Sequence, residues 1–261
     1  MNQSHRTSCL GAARRLTPIA VLIAGFVGDP APLQAGENTG RITYADLVPG
    51  GMGIAGVTSI IEGPTSQRES RGEMAQIFEK YFRKSRTDIP LMGADRVRSA
   101  LGQDAYDSML DSVQSTGGLS APQLAALRSA LVDSVRYVVV ARLEREKIEH
   151  DKDEEDPDKD PKTQNSEVIK TTTRKVEVSF QVYDLRDGTP AWMTKRSGEE
   201  SKWIRGPVDE PIFKSGSIAG MIESVVSDPG PEYPEPKPTM ANLPRIFDYF
   251  ARLLPQAKKK K

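Results

Sequence analysis

Residues 171–203 read TTTRKVEVSFQVYDLRDGTPAWMTKRSGEESKW, and two features of this run set the architecture. Apolar and polar residues alternate from Thr171 to Leu185. Val176, Val178, Phe180 and Val182 fall on one face and Lys175, Glu177, Ser179 and Gln181 on the other, which is the period of a half-buried strand. Asp187-Gly188 is then a two-residue hairpin signal. That turn pairs Tyr183 with Trp192 and Val182 with Met193, and it predicts a return strand from about Ala191 to Trp203.

Working outward, Tyr137–Leu143 (YVVVARL) is a run of strand formers and predicts a buried strand. Gly51–Ile61 (GMGIAGVTSII) predicts a first strand, and Ile89–Met92 a short edge strand because it contains Pro90. Helical stripes lie between them. Met74, Ile77, Phe78, Tyr81 and Phe82 share one face of a helix opened at Pro64. Asp95 is placed to cap a short helix carrying Val97 and Leu101. Tyr106, Met109, Leu110 and Val113 form a further stripe that Gly117-Gly118 ends. Ser120 to Gln123 is a capping-box pattern leading into Leu124, Leu127, Leu131 and Val135. Helices between the early strands imply parallel pairing there, while the late hairpin is antiparallel. The expected fold is therefore α/β, a single mixed sheet flanked by helices.

The termini read differently. Residues 1–35 carry Arg6, Arg14 and Arg15, then an apolar run from Leu16 to Val27, then small residues up to Ala35. Twelve apolar residues are too few to span a bilayer, and the pattern is that of a cleaved export signal. Cys9 precedes the apolar run, so it is not placed to carry a lipid at the cleavage site, and no lipid anchor is expected. Without residues 1–35 the chain has 33 basic and 35 acidic residues, no Cys and one histidine, His150. This balance excludes a strongly basic nucleic-acid binder, a disulfide scaffold and a Cys-based zinc site.

The mature domain is expected over 36–226, with 36–50 as a flexible lead-in and 146–166 as a disordered acidic insertion. Ile218, Met221, Ile222 and Val225 predict a helix near its end. Residues 227–241 are Pro-rich and read as an extended linker. Residues 242–261 follow as an amphipathic helix capped by Asn242, with Ile246, Phe247, Phe250, Leu253 and Leu254 on one side, and a lysine tail, Lys258–Lys261.

Residues 131–192 resemble a bacterial envelope superfamily. It comprises the curli-secretion lipoprotein, the lipoprotein activators of penicillin-binding proteins and the amino-terminal domain of TolB. The matching residues are Tyr137–Leu143, then Tyr183-Asp184, Gly188 and Trp192; upstream, DIPLMGADRVRSAL (88–101) fits the same pattern. The resemblance implies a periplasmic α/β domain that works by binding other envelope proteins and has no catalytic residues. The lipid-bearing Cys of many members is absent, and the charged insertion and Pro-linked helix are additions.

Five residues are candidates for partner binding: Tyr183, Trp192, Phe247, Phe250 and Leu254. For Tyr183 and Trp192 the bland alternative is packing across the hairpin. For the C-terminal helix it is docking on its own domain, because a free helix of that length is marginal in water. The lysine tail could add attraction to an anionic membrane surface. Self-association is a further possibility.

Other motifs carry less. Gly51-x-Gly53-x-x-Gly56 matches a dinucleotide fingerprint, but strand-like residues follow it where a helix is needed. Glu149–Asp160 packs eight acids into twelve positions, with Asp153, Asp156 and Asp158 as weak Ca²⁺ candidates, yet no Gly supports a ligating turn. His150 lacks a second His or a Cys to partner it in catalysis. The expectation is a non-enzymatic binding protein without a cofactor. The alternatives are a polysaccharide hydrolase with paired carboxylates and a Ca²⁺-binding protein.

Overall fold

In a computed structural model of the chain, residues 42–61, 64–155, 167–207 and 233–257 are described. A short helix α1 (Tyr44–Gly50) leads into β1 (Met52–Ser59). Then come α2 (Pro64–Ser85), β2 (Leu91–Met92), α3 (Ala94–Leu101), α4 (Gln103–Thr116) and α5 (Ala121–Leu131). Three long strands follow, β3 (Tyr137–Glu155), β4 (Glu167–Asp184) and β5 (Thr189–Pro207). A 3-10 turn at Thr239–Ala241 precedes α6 (Leu243–Leu253). The strand order is β2-β1-β3-β4-β5; β1 pairs parallel with β2 and β3, and the rest is antiparallel. The mixed α/β sheet expected from the sequence is the fold observed.

Two cores flank the sheet. Phe78 and Phe82 of α2, Phe180 and Val182 of β4, Trp192 of β5 and Phe247 and Phe250 of α6 pack on one face. Tyr106, Leu110 and Val113 of α4, Leu127 and Leu131 of α5, and Val138, Val140 and Tyr183 pack on the other. Being covered on both faces, β1 is buried along its whole length, as a central parallel strand must be. Gly56 (φ +146°) sits beside the β1 bulge, and a Cβ there would lie 2.8 Å from Leu110 Cδ2. The third glycine of the Gly-x-Gly-x-x-Gly motif thus admits α4 to the sheet, and the motif lies in a strand and its lead-in.

Four expectations are corrected. Residues 36–50 are not all lead-in. Thr43 caps α1 by accepting from Asp46 N–H at 3.2 Å, and Leu47 is fully buried. The second concerns helix capping: Gly93, not Asp95, stands at the N-cap of α3. Asn242 stands at the N-cap of α6, but its helical backbone (φ −79°, ψ −31°) leaves the side chain without a capping hydrogen bond.

The third correction concerns the acidic insertion. Residues 146–155 continue β3 and pair with β4 down to Glu155↔Glu167. Cross-strand charge pairing offsets their poor strand propensity: Glu149 contacts Lys147 at 2.8 Å on its own strand and Lys175 of β4 at 2.6 Å. Residues 156–166 lie outside the described residues.

The fourth is the hairpin register. Asp184 Oδ1 accepts from Arg186 N–H at 2.9 Å, so the chain leaves the ladder at Asp184 and the turn spans four residues, 185–188. Asp184 pairs with Thr189 and Tyr183 with Pro190; a bulge at Ala191 then pairs Val182 with Trp192 and Gln181 with Met193. Tyr183 and Trp192 therefore face opposite cores. The predicted leader (1–35), the 218–225 helix and residues 227–232 of the Pro-rich linker lie outside the described residues.

Candidate functional site

The five predicted partner anchors are core residues. Trp192 is 6% exposed and stacks on Phe250 at 5.4 Å; Phe247, Phe250 and Leu254 are 0–1% exposed. Phe78 of α2 stacks on Phe247 with centroids 4.5 Å apart. The C-terminal helix is thus docked on its own domain. Tyr183, 3% exposed, anchors the α4–α5 connection: its oxygen accepts from Leu119 N–H at 2.9 Å and its hydroxyl donates to Gln181. Burial raises its pKa.

The predicted polar sites do not converge. Asp153 is an exposed residue on β3, and among the described residues no cluster of three His, Cys, Asp or Glu could hold a metal. Asp156, Asp158 and Lys258–Lys261 lie outside the described residues. His150 is exposed, with Nδ1 3.0 Å from Thr172 Oγ1 and its ring 4.6 Å from that of Tyr233. Three described carboxylates are held below the usual carboxylate range. Thr43 and Arg136 hold Asp46 down by hydrogen bonds, Arg86 does so for Asp88, and Lys147 and Lys175 hold Glu149 down to about 2. A general acid needs the opposite shift.

What the sequence did not reveal is an arm. Strand β1 stops at Ser59, opposite Leu143, while β3 runs on to Glu155. The last half of β3, the first half of β4 and the last half of β5 thus form a three-stranded sheet beyond the end of β1. Residues 233–242 strap one of its faces. There Lys237 pairs with Glu200 at 2.7 Å, Thr239 accepts from Arg174 at 2.7 Å, and Lys170 lies over the Tyr233 ring. The opposite face carries Trp203, which is 63% exposed, beside the Thr173–Ser201 hydroxyl pair at 2.8 Å.

The outer edge of β3 is the open feature of this arm. From Arg145 onward no described strand pairs with it on the β1 side. At the step where β1 ends, Ile60, Ile61, Glu144, Arg145, Glu146 and Ile148 line a shallow hollow of about 440 Å³. Ile60 is 42% and Ile148 43% exposed, apolar surface beside backbone that no described strand pairs. An added strand would find hydrogen-bonding groups on the edge and apolar contacts in the hollow. Along 144–153 five acids and three bases give the edge an acidic balance.

No family model matches the chain, and no curated protein matches it significantly. Among the described residues no helix is long and apolar enough to cross a membrane. Among solved structures, a hypothetical protein of Chlamydia trachomatis is similar over 58% of this chain and 73% of its own, with 13% identity and a TM-score of 0.32. A lipoprotein of Neisseria meningitidis is similar over 67% of this chain and 91% of its own, with 12% identity and a TM-score of 0.29. At these TM-scores the likeness is partial and carries no argument about what this chain does.

Proposed function

We propose that the protein is an exported bacterial envelope accessory protein that acts by binding other proteins, without catalysis. Its working surface is the outer edge of β3 and the adjoining hollow. The observation that carries this reading is an edge strand left unpaired by any described strand from Arg145 onward, next to two half-exposed isoleucines. The leader-like residues 1–35 and the resemblance of residues 131–192 to envelope families support the setting. The charged side chains along the edge keep it from pairing indiscriminately, so the reading favours an extended partner segment with basic residues.

Site-specific photo-crosslinking in cells tests it. A crosslinker at Lys147 or Ile148 should yield discrete protein adducts, and Ile148→Asp should weaken those formed from Lys147. A crosslinker at exposed Ser108 of α4, far from the edge in the fold, serves as the control. Adducts at Ser108 with none at Lys147 or Ile148 would move the working surface elsewhere. An adduct at twice the chain's own mass would make the partner a second copy.

A further inference from the structure

A cavity of about 310 Å³ lies where α2, α3 and α4 meet, well away from the β3 edge, lined by Arg71, Glu79, Asp95, Arg98, Tyr106 and Asp107 among others. Arg71 is the unusual member. Its side chain is only 7% exposed, and Nη2 donates to Asp111 at 2.7 Å and to Gln114 at 2.6 Å. Its Nε and Nη1 are buried and meet no acceptor among the described residues. Buried guanidinium donors without acceptors are uncommon, because each has lost water and gained nothing in exchange. Tyr106, 7% exposed, lines the same cavity; burial pushes its hydroxyl up to about 12, so it is protonated at neutral pH and can donate. Its oxygen sits 3.0 Å from where a Cβ would stand on Gly56, so the β1 glycine makes room for it.

The charge balance narrows the ligand. Asp111 already neutralises Arg71, so the cavity asks for acceptor atoms rather than net negative charge. Asp95 pairs with Arg98 at 2.6 Å and Glu79 with Arg83 at 2.8 Å, so the carboxylate of Asp107, bonded among the described residues only to the neutral Gln103 amide, leaves the rest of the lining net negative, which disfavours a plain anion. We infer that this cavity binds a small zwitterion, a free amino acid or a short peptide. Its carboxylate is received by Arg71 and Tyr106 and its ammonium group by the acids around the opening. The volume lies at the lower end of the range for small-molecule sites, and it suits a ligand of one or two residues.

Titration calorimetry and thermal melting of the mature chain test this with separated probes. L-alanine and L-alanyl-L-alanine supply both charges, acetate and inorganic phosphate only the anion, and ethylamine only the cation. One of the zwitterions should bind saturably and raise the melting temperature, with every single-charge probe at least about tenfold weaker. Tyr106→Phe keeps the ring and should weaken zwitterion binding several-fold, which remains readable if Arg71→Met fails to fold. Phosphate or acetate binding as tightly as the zwitterions would overturn the inference. So would the absence of saturable zwitterion binding by a folded wild-type chain. Both readouts are independent of the β3 edge, so the two readings fail separately.

Discussion

Phe180 of β4 and Phe250 of α6 lie face to face, ring centroids 4.2 Å apart and planes 15° from parallel. This pair fixes the C-terminal helix to the sheet, and Phe78 of α2 closes on both rings at 5.7 and 5.6 Å. Phe250 is fully buried, so Phe250→Ala should cost about 3–5 kcal/mol, the range for emptying an aromatic core site. Tyr249, its neighbour, is 52% exposed, and Tyr249→Ala should cost less than about 1 kcal/mol, mainly its contact with Arg196. Urea unfolding of the two variants measures the difference; equal losses would show that α6 is not packed as described.

The far end of the same helix is held by a buried cation. Arg86 is 3% exposed on its side chain, and its guanidinium donates to the carbonyls of Ala251 (3.2 Å), Leu254 (3.1 Å) and Pro255 (2.8 Å). The first two belong to the helix-end acceptors that an α-helix leaves unsatisfied, and the third lies one residue past its C-cap; all are met here from another element. Arg86→Met should cost on the order of 3 kcal/mol, because charged donors are lost and buried carbonyls are left without partners. Hydrogen exchange should then speed up in residues 250–257 before it changes in β1. Unchanged exchange there would mean that Arg86 does not hold the end of the helix.

Acid should loosen this arrangement, with a definite sign. The Arg86 hydrogen bond holds Asp88 below its ordinary value, and Thr43 and Arg136 do the same for Asp46. A carboxylate with a depressed folded pKa contributes stability above its unfolded pKa, near 4, and that contribution is lost as pH falls through the lower, folded value. Urea midpoints should therefore stay level near neutrality and fall below about pH 4, with a shallower fall in Asp88→Asn. A midpoint that rose on acidification would contradict the assigned pairs.

The mixed sheet, its parallel start and its antiparallel finish were legible because burial imposes them locally. The alternation around Phe180 and the all-apolar YVVV run leave little choice of face. The arm was not legible, because Glu, Lys and Asp are poor strand formers and their run at 146–155 read as a loop. One signal was present: a strand as long as Thr171–Leu185 needs neighbours of comparable length, and YVVVARL is half as long. The turn misled by one residue at Val182, because Asp184 closes it earlier than Asp187-Gly188 suggests. The candidate surface at Ile60 and Ile148 depends on where β1 stops relative to β3, a three-dimensional step that periodicity does not encode. Trp192 and Phe250 drew attention for their chemistry, but aromatic residues at core spacing usually fill a core, and these do.

Two glycines separate conformational need from mere proximity. At Gly56 an added Cβ would stand 2.8 Å from Leu110 Cδ2 and 3.0 Å from the Tyr106 hydroxyl, both on a packed helix, and the backbone is at φ +146°. At Gly93 it would stand 2.1 Å from Glu79 Oε2, nominally the worse clash, but that atom is the tip of a flexible, partly exposed side chain. Glu79 can swing away at the cost of its pair with Arg83, worth less than about 1 kcal/mol at the surface. Leu110 cannot move without shifting α4, and overpacking of that kind costs about 1–3 kcal/mol before the backbone strain is added. Gly56→Ala should therefore lower the melting temperature several times more than Gly93→Ala. It should also disturb ligand binding in the cavity beside Tyr106, whereas Gly93→Ala should leave the fold intact. Calorimetric melting of the pair decides it, and a larger loss from Gly93→Ala would mean that α4 is more loosely seated on β1 than its contacts indicate.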